Sequence, residues 1–407
     1  MFDLIHPKWI IFSSIFISWM GVAVNNPLMA PIARSMGLTE IQAGWLISIT
    51  AIMSIIGSLF LGRKSDTLGR KKILLIGMTG FTITMFFFGI LVQMGLSKPT
   101  LIGIEKIFLL LLLIRLIQGL FFGAIPSTGQ AYMADITTGK ERLSAMALIG
   151  SANGLGFVLG PMLGAFTVGF HMATPFYISA FLTAGVTIWL WISLTNKKTH
   201  IYSDENESTA KPILFSKVWL PLACSLLLTM ALSILQVTSG FYIQDTLHIS
   251  IKAATRYVTI LITIAGISVV LTQILIVNRF RWSPITLIRI GLPIVFIGFF
   301  LISITYGIFY LIISFLLIGI GTGMALPASM SAASLMVDKT QQGKIAGMIT
   351  AANAAGSIIA PLLGTYLYHF YPQSPYYTCV ILLMGASLLI WTVGRKKLNI
   401  SSSEVGK

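Results

Sequence analysis

Apolar runs long enough to cross a lipid bilayer follow one another through almost the whole chain, and no other feature restricts the fold as tightly. They fall at 8–31, 41–61, 73–95, 106–134, 143–169, 175–195, 215–244, 254–278, 284–306, 308–336, 344–370 and 375–394. About 20 apolar residues are needed per helical crossing, so a chain of 407 residues has room for these twelve with short loops. The composition agrees. Hydrophobic residues make up 56% and charged residues only 10%, against roughly a quarter charged in soluble proteins. A soluble globular enzyme, a disordered chain and a fibrous repeat are excluded. The expected fold class is all-α: a polytopic membrane protein of twelve transmembrane helices.

Lys and Arg total 27 against 12 Asp and Glu. In a soluble protein such an excess suggests nucleic acid; in a membrane protein it reflects the retention of bases on the cytoplasmic side. With the N-terminus inside, the inner segments carry Lys8, the cluster Arg63, Lys64, Arg70, Lys71 and Lys72, and further bases through Lys407. Twenty of the 27 lie inside, five outside, and Arg115 and Arg289 within runs. Both termini are therefore expected in the cytoplasm, in a bacterial inner membrane. The first run, near Trp9 to Met29, is too long for a signal-peptide core and contains Asn25 and Asn26, so it reads as the first span. Cys224 and Cys379 lie in separate apolar stretches without metal-ligand spacing and read as small buried side chains.

The longest polar stretch, Thr195 to Lys217, separates two groups of six spans. The expected division is a first bundle over 1–195, a solvated cytoplasmic linker over 196–214 and a second bundle over 215–407. The two groups are related by an internal repeat. Asn153, Gly156, Pro161 and Gly164 recur as Asn353, Gly356, Pro361 and Gly364 at an offset of 200, and Pro126 and Asp135 are echoed by Pro327 and Asp338. Two pseudo-symmetric six-helix bundles are one established way to build a secondary transporter, with the substrate held between halves that rock alternately.

Between the second and third runs lies Gly62-Arg63-Lys64-Ser65-Asp66-Thr67-Leu68-Gly69-Arg70-Lys71-Lys72. Gly62 permits close helix approach, Gly69 permits a tight turn, and Asp66 is placed to pair with Arg70. This segment resembles motif A of the major facilitator superfamily. Further motifs resemble those of its twelve-span drug:proton antiporters: Pro27-Leu28-Met29-Ala30-Pro31 in the first run, Arg115-Leu116-Ile117-Gln118-Gly119 in the fourth, and Gly150 through Gly164 in the fifth. The resemblance implies a gate in which Asp66, Arg70 and Asp135 form a charge cluster at the inner end, made in one state and broken in the other. It implies an antiporter motif in Gly156, Gly160, Pro161 and Gly164. Read physically, the glycines, four residues apart, share one helical face and allow tight packing, and Pro161 adds a bend.

Arg115 sits about nine residues inside a run of Leu and Ile, where a guanidinium costs roughly 2.5–3.5 kcal/mol on insertion scales. It either lines the central cavity, binding an anionic group or repelling protons from a nearby carboxyl, or acts as an internal strut between helices. Arg289, near an inner end, is expected to snorkel. Asn25, Asn26, Gln118, Gln130, Gln236 and Asn353 are further candidates to line a cavity, each also able to serve as a helix-to-helix hydrogen bond.

One departure from proton-coupled exporters stands out. No Asp or Glu falls within the middle of a run; Asp245 and Glu105 lie near outer ends and Asp135 near an inner one. A cavity with Arg115 and no buried acid disfavours cations and suits neutral, zwitterionic or anionic small molecules. The expectation is an exporter of small organic molecules, drug-like or secreted metabolites, working by alternating access with protons as coupling ion. The alternatives are an exporter of a carboxylate-bearing metabolite such as a siderophore, an importer of the same fold and a non-transporting membrane sensor. No catalytic residues, metal, cofactor or nucleic acid is expected, nothing resembles a nucleotide-binding loop, and the protein is expected to be a monomer in the lipid bilayer.

Overall fold

The computed structural model describes residues 7–97, 103–137, 139–194, 215–277, 282–304, 307–337 and 341–398. Among them are twelve segments long and apolar enough to cross a membrane, and no strand. The linker expected over 196–214 and Asp338 lie outside the described residues.

The first span is two helices, Pro7–Ala23 and Asn25–Met36. The next five are Glu40–Leu68, Arg70–Ser97, Ile104–Ile136, Gly139–Val168 and Thr174–Ser193. The seventh is an unbroken Phe215–Leu247. The eighth is Ile251–Thr272, continued by a π-helical turn over Gln273–Val277. The last four are Pro284–Ile304, Ile308–Leu335, Gln342–Phe370 and Ser374–Leu398. The chain divides into two compact units, the first six spans with Ile251–Thr259 and the remainder of the last six.

Local sequence sets the ends of these helices. Gly37, with φ of 78°, turns the chain out of the first span. Thr39 and Gln42 then form a reciprocal capping box that starts the second. Gly69, with φ of 95°, is the whole connection between the second and third spans, a conformation in which a Cβ is strained.

The first apolar run, 8–31 in the sequence, is a single span built from two helices. Pro27 has no N–H for the carbonyl of Ala23, and its ring crowds that carbonyl; the helix is interrupted at Val24, one turn before the proline. Val24 keeps right-handed helical angles (φ −55°, ψ −33°) and its N–H still reaches the Met20 carbonyl at 3.0 Å. The Asn25 amide partly replaces the lost donors, giving its N–H groups to the carbonyls of Gly21 and Val22, both at 3.0 Å.

Within the first unit, spans cross where glycines let backbones touch. A methyl on Gly123 would fall 1.9 Å from the Ser54 carbonyl oxygen, and one on Gly119 2.5 Å from that of Thr50, so the fourth span lies directly on the second. Gly156 packs on the Phe16 carbonyl and Gly160 on that of Met20, seating the fifth span on the first. The second unit repeats both crossings. Gly319 and Gly323 approach the carbonyls of Ala265 and Val269 on the eighth span, and Gly356 that of Leu226 on the seventh. Such close approach replaces, in lipid, the hydrophobic drive that is missing there.

Candidate functional site

Two polar constellations stand in the first unit, one deep within the helices and one at the end where the first span begins.

The deep one centres on Arg115, 2% exposed. One terminal nitrogen donates to Gln118 Oε1 at 3.0 Å. The other donates to Asn25 Oδ1 at 2.8 Å and approaches the sulfur of Met29 at 3.6 Å. The guanidinium lies 3.9 Å from the ring centroid of Phe88, a cation–π contact strengthened by the dry surroundings. Gln118 in turn donates to Met85 at 3.2 Å. No carboxylate reaches the cation among the described residues, and Arg115 Nε has no acceptor. The helix break thus has a chemical consequence: the Asn25 amide that bridges it also presents its oxygen to Arg115, tying the first span to the fourth. Arg115, Asn25 and Gln118, singled out in the sequence, are brought together, while Phe88, Met85 and Met29 complete the cage. Nothing in a continuous apolar run marks Phe88 as a cation's partner, because its role depends on how the third span is rotated.

The second constellation is the motif A loop. Arg70 pairs with Asp66 at 2.6 Å and with Asp135 at 3.0 Å, and also donates to Ser65 Oγ at 2.6 Å. Ser65 is fully buried and donates to the Gly62 carbonyl at 2.6 Å. Gly62 itself faces Ser127, whose Oγ would lie 3.3 Å from a methyl placed there. At the same end Lys8 pairs with Glu141, joining the beginnings of the first and fifth spans, and Lys71 donates to the Trp191 carbonyl at 2.8 Å. The sequence reading did not include Ser65 or the Lys8–Glu141 pair; only Ser65 has a local signal, being inside the motif.

The remaining candidates are dispersed. Asn26 is half-buried beside Asn25, and Gln130 is exposed, about four turns along the fourth span from Arg115. Gln236 is buried in the seventh span. Asn353 is held within the second unit, its Oδ1 accepting from Ser225 at 2.7 Å and Thr229 at 3.1 Å. Gly156, Gly160 and Gly164 all face the first span, with Pro161 inside the fifth helix. Arg289 stacks over Trp391 at 5.5 Å. Asp245, near the end of the seventh span, accepts from the Tyr368 hydroxyl at 2.5 Å. Cys224 and Cys379 are buried and free.

Twelve spans in two glycine-packed groups of six, with a charge cluster at the motif A loop, define an integral multi-pass membrane transporter. The Major Facilitator Superfamily profile matches residues 11–310 and again 257–406, and the chain belongs to that family, one of transporters rather than enzymes. The chain is 25% identical over 386 residues to Multidrug resistance protein 1 of Bacillus subtilis (strain 168), covering 94% of this chain and 95% of the relative. It is 24% identical over 389 residues to Quinolone resistance protein NorA of Staphylococcus aureus (strain MSSA476), covering 94% and 95%. Among solved structures it resembles a D-xylose-proton symporter, with a TM-score of 0.71 at 17% identity over 94% of this chain and 97% of that one. It also resembles the nucleoside transporter NupG, with a TM-score of 0.66 at 17% identity over 95% and 98%.

Proposed function

We propose that the protein exports small organic molecules across a bacterial inner membrane by alternating access, in exchange for protons, with both termini in the cytoplasm. The observation that carries this reading is similarity along 94% of the chain to relatives named for drug resistance. It is joined by an assembled Asp66–Arg70–Asp135 cluster on which a two-state gate can turn. With Arg70 held by two carboxylates, the inner end of the first unit is pinned; separating Asp135 from Arg70 frees the fourth span from the second–third loop. The favoured substrates are neutral, zwitterionic or anionic, because the one fully buried cation, Arg115, faces no carboxylate among the described residues. Arg115 serves as the clasp of the interrupted first span. Its interactions with Asn25 and Gln118 pass any shift of the fourth span directly to the break at Val24.

Everted membrane vesicles test the direction. On imposing a proton gradient, vesicles containing the protein should accumulate a substrate drawn from a panel of uncharged and carboxylate-bearing antibiotics, and vesicles with Asp66→Asn should accumulate less. Loss of preloaded substrate from the same vesicles would mark an importer, and no flux of any panel member would remove transport of these classes.

A further inference from the structure

The ninth span carries a cation where the third, its counterpart in the repeat, carries none. Gly291 rests against the Gly321 carbonyl and Ala325, as Gly77 rests against the Phe121 carbonyl and Ile125. With Gly321 and Ala325 matched to Phe121 and Ile125, Gly291 matches Gly77, and Arg289 stands where the first half has Leu75. The ring beside it is common to both halves: Pro175, Tyr177, Gly185 and Trp191 of the sixth span recur as Pro375, Tyr377, Gly385 and Trp391 of the twelfth. One half therefore builds this corner without a cation, and packing alone does not call for Arg289. The residue lies five positions after Pro284, about 7.5 Å along the helix from its start and so near the membrane boundary. Its guanidinium is stacked 5.5 Å from the centroid of Trp391, a ring 46% exposed. Nε is buried without an acceptor, while the two terminal nitrogens are open and take no hydrogen bond or ion pair among the described residues.

A guanidinium lying on a ring is fixed in its plane, and its terminal nitrogens form a fork that suits the oxygens of a phosphate. We propose that Arg289 and Trp391 bind the headgroup phosphate of an anionic phospholipid in the leaflet where the ninth span begins. Leu388 and Met384, three and seven residues before Trp391 and so on its helical face, are both exposed and offer an acyl chain a track toward the bilayer centre. The last turn of the same helix holds Arg395, Lys396 and Lys397, bases of the kind that draw anionic lipid to a membrane surface. The phosphate supplies the counter-charge that the protein does not. The site is the same whether the protein exports or imports.

The test is titration of the purified full-length protein in nonionic detergent with dioleoyl phosphatidylglycerol and, separately, dioleoyl phosphatidylcholine, with bound lipid counted by native mass spectrometry. The wild type should bind its first phosphatidylglycerol more tightly than its first phosphatidylcholine. Arg289→Leu installs the residue that the first half carries and should fold; it should weaken the first phosphatidylglycerol about tenfold, the scale of a hydrogen bond to a charged group. Trp391→Phe, with a poorer ring for a cation, should weaken it about two- to threefold. Lys344→Gln, an exposed base elsewhere in the second unit, should bind as the wild type does. Phosphatidylglycerol should also raise the melting temperature of the wild type more than that of Arg289→Leu, a difference that a purely packing role would not produce. Glycerol 3-phosphate, a headgroup phosphate without chains, should not displace the lipid. The site is overturned if Arg289→Leu binds phosphatidylglycerol like the wild type, if Lys344→Gln loses as much, if phosphatidylcholine binds the wild type equally well, or if glycerol 3-phosphate displaces the lipid. Should Arg289→Leu not fold, Arg289→Gln is read by the same outcomes.

Discussion

The two halves of the molecule share their contacts and differ in what those contacts enclose. Gly119 and Gly123 seat the fourth span on the second just as Gly319 and Gly323 seat the tenth on the eighth, and Gly156 and Gly356 repeat the crossing of the fifth and eleventh. Carried along those registers, Asn25, Arg115 and Gln118 of the first half correspond to Leu235, Phe315 and Ile318 of the second, all three buried. A polar triad in one bundle is an apolar triad in the other. The helix break follows the same division: the first span is interrupted at Val24, one turn before Pro27, and the corresponding Val237 leaves the seventh continuous. Among the described residues the scaffold is thus repeated, while the fully buried charge and the break beside a proline of the first or seventh span are found in one copy. A rocking transporter needs both halves to be rigid, but only one needs an internal element able to change its hydrogen bonding.

The sharpest way to break this comparison is through the shared crossings. Gly123→Ala places a methyl 1.9 Å from the Ser54 oxygen, where only the backbone can give; the same change at Gly323 meets the Val269 oxygen at 2.9 Å. Overpacking costs about 1–3 kcal/mol, and Gly123→Ala should lie at or above the top of that range. The expected result is loss of monodisperse protein in size-exclusion chromatography for Gly123→Ala and a lowered melting temperature with retained yield for Gly323→Ala. Equal damage at the two sites would mean that the crossings are equally tight and the distinction unfounded.

Next in size is Arg115→Lys. An ammonium is a point donor on a flexible stem and cannot reproduce a planar fork that holds two amide oxygens while lying over a ring. Transport should fall by about tenfold, the equivalent of roughly 1.4 kcal/mol, with folded yield kept. Phe315→Leu, at the matching site of the second half, should leave transport within about twofold, since it trades one apolar packing residue for another. A vesicle assay on both variants decides; a Phe315→Leu defect as large as that of Arg115→Lys would show that the second triad is more than filler.

How much of this could be read in the sequence depends on whether the signal was local. Span number and the turn at Gly69 follow from runs of apolar residues and from glycine placed where a helix must stop. The motif A cluster was legible as well, because Asp66 and Arg70 are one helical turn apart in sequence and Asp135 was brought in by resemblance. Arg115 was visible as a charge in hydrocarbon, yet its cage was not. Asn25 lies 90 positions away, and Phe88 looks like any other apolar residue until the third span's rotation is known. The break at Val24 was written in Pro27, but a proline inside an apolar run predicts a bend as readily as an interruption. The difference between Asn153 and Asn353 was hidden by the repeat itself: matching asparagines suggest matching environments, and only the packing of Gly156 and Gly356 shows that Ile15 and Trp19 stand where Ser225 and Thr229 do.

A smaller effect is expected at the charge cluster. Asp135→Asn leaves Arg70 with Asp66 at 2.6 Å and with Ser65, so the loop keeps its shape. The lost pair is partly solvated, with the Asp135 side chain 30% exposed; such pairs are worth up to about 1 kcal/mol. That is about a fivefold shift at most in the ratio of two conformations. Transport should fall two- to fivefold, and raising the salt concentration should narrow the gap between wild type and variant by screening the surviving attraction in the wild type. A variant whose deficit is indifferent to salt would place the role of Asp135 in hydrogen-bond geometry rather than charge.

The smallest effect is expected from Gly154→Ala, read against Gly156→Ala on the same helix. Gly156 is closed in by the first span, with the Phe16 carbonyl oxygen 2.6 Å from where a methyl would sit; Gly154, two residues earlier, has nothing within 4 Å. In a helix interior alanine is favoured over glycine by about 0.8–1 kcal/mol in peptides, so Gly154→Ala should hold or slightly raise the melting temperature, and Gly156→Ala should lower it. The pair isolates what the glycines of this motif contribute. If Gly154→Ala preserves stability but lowers transport, the open face of the fifth span must be free for something that arrives during the cycle, and the packing of Gly156 alone does not account for the motif. If Gly154→Ala is silent in both assays, the contribution of the fifth span lies in its closed face, in the contact that holds Trp19 and the interrupted first helix in place.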